Sequence, residues 1–468
     1  MSRNAYVPAT SQKSSSFLDR RLGPIDAAAI VVSNVIGGGI FFVPIIVAQM
    51  VPSSGAILWV WLIGGALAFA GAMAYAELSA LRPRAGGEYV YLREAFGPMA
   101  AFLTGWTSFI AGFSGAIAAS ALAFADYVGR FVPAAADVTP IVTVPVPLVP
   151  LVLSRKALVA LVPILVLSFI HIRGLGPGRI VQNVLAGLKA TALALIIALG
   201  FMMASGHGAA AAAGPALPVS GMLLALVPIM FTYSGWNAAV YVAEEVRNPG
   251  RNVPLALGLG TLTVIVIYVA LNALYLHVLG VAALAALPGR LLDVVGERLF
   301  GVMAANAIAL FTMVSLSASI SAMTLAGPRV YYAMAQDGLF LDAASRVHPR
   351  YHTPAVAILA QSLWTIVLVL SGTLSQLVSY TGFAVILFSA VAVASLFVLR
   401  RRDPDAPRPF RAWGYPWAPA IFVIACSAMV VNEMFRNGAT ALAGVAVIVA
   451  GIPVYFMFRA KQNRITNH

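Results

Sequence analysis

Long apolar runs alternate along the chain with short polar segments rich in arginine. Twelve runs are read, at 25–50, 56–81, 98–128, 157–171, 180–205, 219–245, 254–280, 299–327, 354–371, 374–399, 417–435 and 438–458. Most approach or exceed the about 20 residues that a helix needs to cross a bilayer. The pattern predicts an all-α polytopic membrane protein with twelve transmembrane helices. Two runs are interrupted in the same way. In "SNVIGGGIFFVP" (33–44), Gly37, Gly38 and Gly39 stand in the middle of the first span. In "FTYSGWN" (231–237), Tyr233, Ser234, Gly235 and Trp236 break the aliphatic run of the sixth, with Pro228 just upstream. Glycine is the poorest helix former after proline, and freed backbone groups in a bilayer have no water to satisfy them. Packing of neighbouring helices would ask for one or two small residues. Three in a row, with a second weak point five spans later, predict discontinuous helices 1 and 6. Breaks at corresponding positions of two halves point to an inverted-repeat transporter with its site at the midplane.

Composition narrows the class. Of the 468 residues, 61% are hydrophobic and 10% charged, which excludes a water-soluble domain. The net charge of +13 would suit nucleic acid, but its placement argues for orientation instead. With the N-terminus in the cytoplasm, 22 of the 29 Lys and Arg residues fall in cytoplasmic segments. That is the positive-inside pattern of a cell (inner) membrane protein with both termini cytoplasmic; no nucleic-acid partner is expected. Residues 1–20 read as a disordered cytoplasmic tail, not a signal peptide, and 459–468 as the C-terminal tail. Cys426 is the only cysteine, and the six histidines form no HExxH-type pair, so no metal or cofactor is expected. GxxxxGK[ST] is absent, which removes ATP-driven transport. A channel would need a filter or ring of charge, and an enzyme a cluster of catalytic groups; neither is visible.

Four motifs occur in order: "NVIGGGIFFVP", "GGEYVYLREAFGP" (86–98), "FTYSGWNAAVYVAEEVRNPGRNVPLAL" (231–257) and "GPRVYYAMAQDGLF" (327–340). Together they resemble the amino acid–polyamine–organocation transporters, and most of all the L-amino-acid transporter branch and its bacterial homologues. The resemblance covers about residues 18–400. It implies a five-plus-five inverted repeat (LeuT-like), with 21–205 as the first repeat, 219–401 as the second and 415–458 as peripheral helices 11 and 12. The implied activity is sodium-independent secondary transport of amino acids, with neutral L-amino acids and exchange favoured, proton symport second, and a polyamine or cationic amino acid as the alternative. No obligate protein partner is evident; the substrate and the bilayer suffice.

The breaks then acquire a chemistry. Unwinding at Gly37–Gly39 frees N–H groups ahead of the second half-helix, near Ile40, where they can hold an α-carboxylate. Carbonyls near Val35 and Ile36, and around Phe231 and Ser234, can accept from an ammonium. Phe231, Trp236 and Asn237, with Gly235 in the break, are expected to line the pocket or its lid. Relatives often carry Ser where this chain has Gly38, and Gly where it has Ser234. Lys189, about nine residues inside span 5, resembles the lysine that sodium-independent relatives place beside the first break. Its ammonium would be a tethered cation reaching carbonyls near Gly37 and a span-8 hydroxyl, Ser319 first, then Ser315 or Ser317. Ionisable groups in membranes tend to be functional. Even so, Glu77, Glu244 and Glu245 are expected in salt bridges with Arg82, Arg84, Arg247 or Arg251. Segment 86–98 is expected to lie along the inner face.

Overall fold

The computed structural model describes residues 18–146, 150–203, 219–287, 291–371, 374–436 and 438–466. Most of the expected N-terminal tail (1–17), the segment 204–218 with His207, and the last two residues lie outside the described residues. The first expected span is two helices, α1 (Pro24–Val35) and α2 (Val43–Met50), parted by a 3₁₀ turn at Gly39–Phe41. There follow α3 (Ser54–Leu81), the short α4 (Glu88–Phe96), and α5 (Pro98–Thr107), which a π turn at Ser108–Gly112 joins to α6 (Phe113–Val128). Next come α7 (Arg155–Ile172), α8 (Leu175–Met203), α9 (Val219–Tyr233) and a single turn, α10 (Ala238–Tyr241). The second half continues with α11 (Pro249–Ala285), α12 (Leu291–Phe300), α13 (Val302–Gln336), α14 (Ala355–Ser371) and α15 (Leu374–Arg402). It ends with α16 (Trp417–Arg436) and α17 (Gly438–Thr466).

Local chemistry sets the starts. Ser53 and Ser154 accept from Ala56 N and Ala157 N, each at 3.2 Å, capping α3 and α7. Pro24, Pro98 and Pro249 occupy first-turn positions, where no N–H is needed. Among the described residues, nine helices are long and apolar enough to cross a membrane. Three shorter apolar helices, Pro24–Val35, Gly221–Tyr233 and Ala355–Ser371, fall on the first, sixth and ninth expected spans. The protein is therefore a polytopic helical membrane protein.

Two features depart from the expected pattern. Segment 129–154 carries an exposed antiparallel hairpin, Pro140–Val144 with Leu151–Ser154, which an all-α reading lacks. The consecutive β-branched residues Ile141–Val144 favour an extended strand there. Helix α13 runs past the expected end at 327 to Gln336. Arg329 reads as a span end, yet it is buried and paired, so the charge does not stop the helix.

The broken helices sit inside the bundle. Helix α1 packs on α8, α11 and α13, and α13 also packs on α6, α7 and α14. Buried Trp61, Tyr233 and Tyr268 meet at ring distances of 5.1–5.9 Å and hold α3, α9 and α11 together. The basic segments gather on one face, tied by Arg82–Glu94 (2.7 Å), Arg93–Asp337 (2.6 Å) and Arg82–Asp403 (3.3 Å). The opposite face carries Arg130–Asp293 (3.2 Å) and Lys156–Asp126 (2.7 Å). Leu18 is buried with Ala85, Tyr332 and Val347 on the basic face.

Candidate substrate-binding site

Hydrogen bonding follows the first break residue by residue. Ile36 N still donates to Val32 O (3.0 Å), and Gly37 N turns back to Val35 O (2.8 Å). Donation resumes at Phe41 N to Gly38 O (3.0 Å) and Phe42 N to Gly39 O (3.1 Å). Between them, the N–H groups of Gly38, Gly39 and Ile40 have no hydrogen-bond partner among the described residues. Three consecutive free donors form a concavity for an anion. Glycine at 39 is a packing requirement: a Cβ would lie 3.0 Å from Thr232 Oγ1 and 3.1 Å from its Cγ2. At Gly38 a Cβ would meet only Leu316, at 4.0 Å.

The second break lies against the first. Helix α9 ends where Ser234 N and Oγ both donate to Phe231 O, at 3.0 and 2.6 Å. Gly235 adopts φ +97°, and a Cβ there would lie 2.5 Å from Asn34 Nδ2. Asn34 Nδ2 donates to Gly235 O at 3.3 Å and joins the two breaks. A cavity of about 600 Å³ fills the space between them, lined by Asn34, Val35, Gly37–Gly39, Phe231, Thr232 and Ser234. It reaches Asp126, Arg130 and Asp293 on the face opposite the basic one. A second cavity of about 140 Å³ continues toward the basic face, sharing Asn34, Phe231 and Ser234 and adding Gly235, Asn237 and Glu88.

Beyond that cavity the basic face is sealed. Leu22 N donates to Glu245 O (2.9 Å) and Arg247 N to Leu22 O (2.8 Å). Ala85 N donates to Glu244 (3.0 Å) and Tyr89 Oη to Asp337 (2.8 Å). Burial pushes the Asp337 carboxyl up, against the lowering pull of Tyr89 and Arg93. Arg329 clasps Glu245 with two bonds, at 2.7 and 3.0 Å, both side chains buried.

Lys189 is completely buried, and its three donors are used: Ser33 O at 3.2 Å, Ile36 O, and Ser319 Oγ at 3.0 Å. Ser319 Oγ in turn lies 3.0 Å from Ser33 O and 3.1 Å from Ile36 O. One ammonium and one hydroxyl thus saturate the carbonyl end of α1. Ser317 instead bonds Met313 O in its own helix (2.8 Å), and Ser315 Oγ has no partner among the described residues.

Several expectations are revised. The Val35 and Ile36 carbonyls do not wait for an ammonium: Tyr268 Oη donates to Val35 O at 2.7 Å, and Lys189 with Ser319 takes Ile36 O. Ile36 and Ile40 bury their side chains in the core and offer only backbone. Trp236 lines neither cavity; its ring packs edge-on to Tyr75 (4.8 Å) and Phe422 (6.0 Å). With Ser234, Gly235 and Asn237 it borders instead a small cavity of about 20 Å³, where the left-handed Gly235 turns the chain. Glu77 pairs with Arg400 (2.6 Å) and Arg408 (3.3 Å), and Glu245 with Arg329, not with the neighbouring loop arginines. Those partners are distant in sequence, so proximity along the chain misled.

Two residues escaped the sequence reading. Asn34 lines both cavities, and its Oδ1 is a buried acceptor with no partner among the described residues; a lone amide next to three glycines was the available signal. Glu88 was placed on the inner surface, but it is buried, receives Tyr75 Oη at 2.7 Å and Asn237 Nδ2 at 3.5 Å, and lines the second cavity. Burial raises its carboxyl above the usual range, while the Tyr75 and Tyr241 hydroxyls pull it back.

A family model described as amino acid permease matches residues 22–458. The chain is 29% identical over 453 residues to the mouse large neutral amino acids transporter small subunit 2, covering 94% of this chain and 81% of that one. It is 29% identical over 445 residues to the human cystine/glutamate transporter, with 94% and 85% covered. It is 27% identical over 449 residues to the serine/threonine exchanger SteT of Bacillus subtilis, with 95% and 98% covered.

Proposed function

From the premise that this chain belongs to the amino acid permease family, whose members are transporters and not enzymes, we propose that it is a sodium-independent exchanger of neutral L-amino acids working by alternating access. The observation that carries the reading is the run of three N–H groups at Gly38, Gly39 and Ile40 without partners among the described residues, at a break whose Gly38 and Gly39 line a cavity between two broken helices. An α-carboxylate satisfies that run. The α-ammonium is met by Asn34 Oδ1, the buried acceptor that has no partner among the described residues. Gly38 leaves room beside the carboxylate, and Ser234 narrows the opposite wall.

The architecture proposed with this reading has twelve spans, with 21–205 and 219–401 as inverted repeats and 415–458 peripheral. Both termini are cytoplasmic, so the sealed basic face is the cytoplasmic one and the larger cavity reaches outward. Lys189 holds the place of a coupling cation, because its ammonium already bridges the first break to Ser319 on α13. Neither a cofactor nor a second protein is needed by this mechanism. A cationic substrate is the second reading, favoured by one observation: Glu88 places a carboxylate on the second cavity.

Uptake of radiolabelled amino acids into proteoliposomes tests the proposal. Saturable uptake is expected, accelerated by internal substrate and unchanged when choline replaces sodium. A strict sodium requirement would refute the role given to Lys189; absence of uptake of any amino acid would refute the function.

A further inference from the structure

We propose that the cytoplasmic face carries a binding site for a phosphate-bearing anion, formed by Arg20, Arg21, Arg179 and Arg247 around the start of α8. These four side chains, with Leu175 and Gly176, line a cavity of about 320 Å³ separate from the substrate route. They arrive from three places in the fold: Arg20 and Arg21 precede α1, Arg247 follows the α10 turn, and Arg179 lies in the first turns of α8. An excess of positive charge on the inner face orients a membrane protein wherever it is spread. It does not require four guanidinium groups to converge on one cavity, where they repel one another.

The counter-charge present is insufficient. Asp19 pairs with Arg21 at 2.8 Å, and Asp26 with Arg179 at 3.7 Å. Asp26 is also engaged by Gly23 N at 2.7 Å and by Asn183 Nδ2 at 2.5 Å. The guanidinium groups of Arg20 and Arg247 form no ion pair among the described residues, which leaves two positive charges without an anion. The N–H groups of Leu175 and Gly176, at the positive end of a 29-residue helix, likewise have no partner among the described residues. Arginine forks and helix N-termini together are chemistry for phosphate oxygens. A basic pocket between helix ends on the cytoplasmic side is also where an anionic lipid headgroup would sit.

The position gives the ligand a consequence. Leu22 and Arg247 are joined by the backbone bridge that seals the cytoplasmic face, and Arg179 donates to Arg21 O at 3.3 Å. A phosphate held by all four arginines ties α8 to both broken helices and favours the closed cytoplasmic face.

The purified full chain in neutral detergent tests this, by thermal unfolding with phosphatidylglycerol, phosphatidylcholine or inorganic phosphate. The lipid arm rests on the membrane orientation proposed above; none of it depends on the substrate. Phosphatidylglycerol, but not phosphatidylcholine, is expected to raise the midpoint, with at least tenfold weaker apparent affinity in an Arg179→Gln, Arg247→Gln double variant. Protection by inorganic phosphate at comparable free concentration identifies a soluble phosphate as the ligand; protection by the lipid alone identifies a headgroup. Either outcome supports the site. If the double variant is not monodisperse, Arg20→Gln, which removes no described bond, takes its place. Equal protection of wild type and variant, or no protection of either, overturns the proposal.

Discussion

Removing the carboxylate from a substrate is the most direct probe of the first break. The N–H groups of Gly38, Gly39 and Ile40 have no partner among the described residues, so an α-carboxylate can accept up to three charge-assisted bonds. Hydrogen bonds to charged groups contribute about 1.5–3 kcal/mol each. Counting only two gives about 3–6 kcal/mol, a loss of affinity of about 10²- to 10⁴-fold at about 1.4 kcal/mol per tenfold. The comparison is between the best amino acid and its decarboxylated amine, each competing with radiolabelled substrate in proteoliposomes. An N-acetylated analogue removes the other charge and should also lose most of its affinity, through Asn34 Oδ1. If the amine competes as well as its parent, the N–H run does not read a carboxylate, and the cationic reading based on Glu88 gains.

Other perturbations separate the elements of the site. Gly39→Leu should abolish uptake in a folded protein, because its Cβ meets Thr232 at 3.0 Å, whereas Gly38→Ala, with 4.0 Å to Leu316, should retain it; equal uptake by both variants would refute the distinction. Lys189→Ala should impair transport severely in sodium and in choline alike, since it frees Ser33 O and Ile36 O; wild-type uptake would refute the tethered-cation role. Arg329→Gln should lower the thermal midpoint, as leaving Glu245 buried without its partner costs about 3–5 kcal/mol. The Arg329→Met, Glu245→Leu double variant should recover part of that loss, and a midpoint no higher than that of the single variant would refute the argument.

What the sequence made legible was whatever could be read from one stretch of chain. Gly37–Gly39 and the polar interruption at 233–236 announce themselves, because packing asks for fewer small residues than these in an apolar run and glycine is a poor helix former. Lys189 is visible as an ionisable group inside a span. What stayed hidden depends on direction or on distant partners. Trp236 sits between two residues that line the second cavity, yet the left-handed Gly235 carries its ring to Tyr75 and Phe422. Glu77 meets Arg400, 323 residues away, and no local pattern marks that pairing. Glu88 looked amphipathic in its own segment; only the packing of α3 and α10 shows that its carboxylate faces inward.

The same distinction explains how the two faces differ. On the face away from the basic segments, the cavity ends at Arg130, which bonds Asn306 on α13 at 2.9 Å and Asp293 on the loop helix α12 at 3.2 Å. On the basic face, backbone and side-chain bonds join residues 22, 85 and 86 to 241–247, so the segments bordering the breaks are fastened to one another. Opening that face must part the Leu22–Val246 bridge and withdraw Glu244 from Ala85. Lys189 and Ser319 grip the α1 side of the first break, whereas the three free N–H groups lie on its α2 side. A substrate carboxylate on those donors therefore adds a bond that neither the ammonium nor the hydroxyl already supplies. Bound amino acid thus contacts the α2 side of the break directly, and only contacts that differ between conformations let a ligand shift a conformational equilibrium.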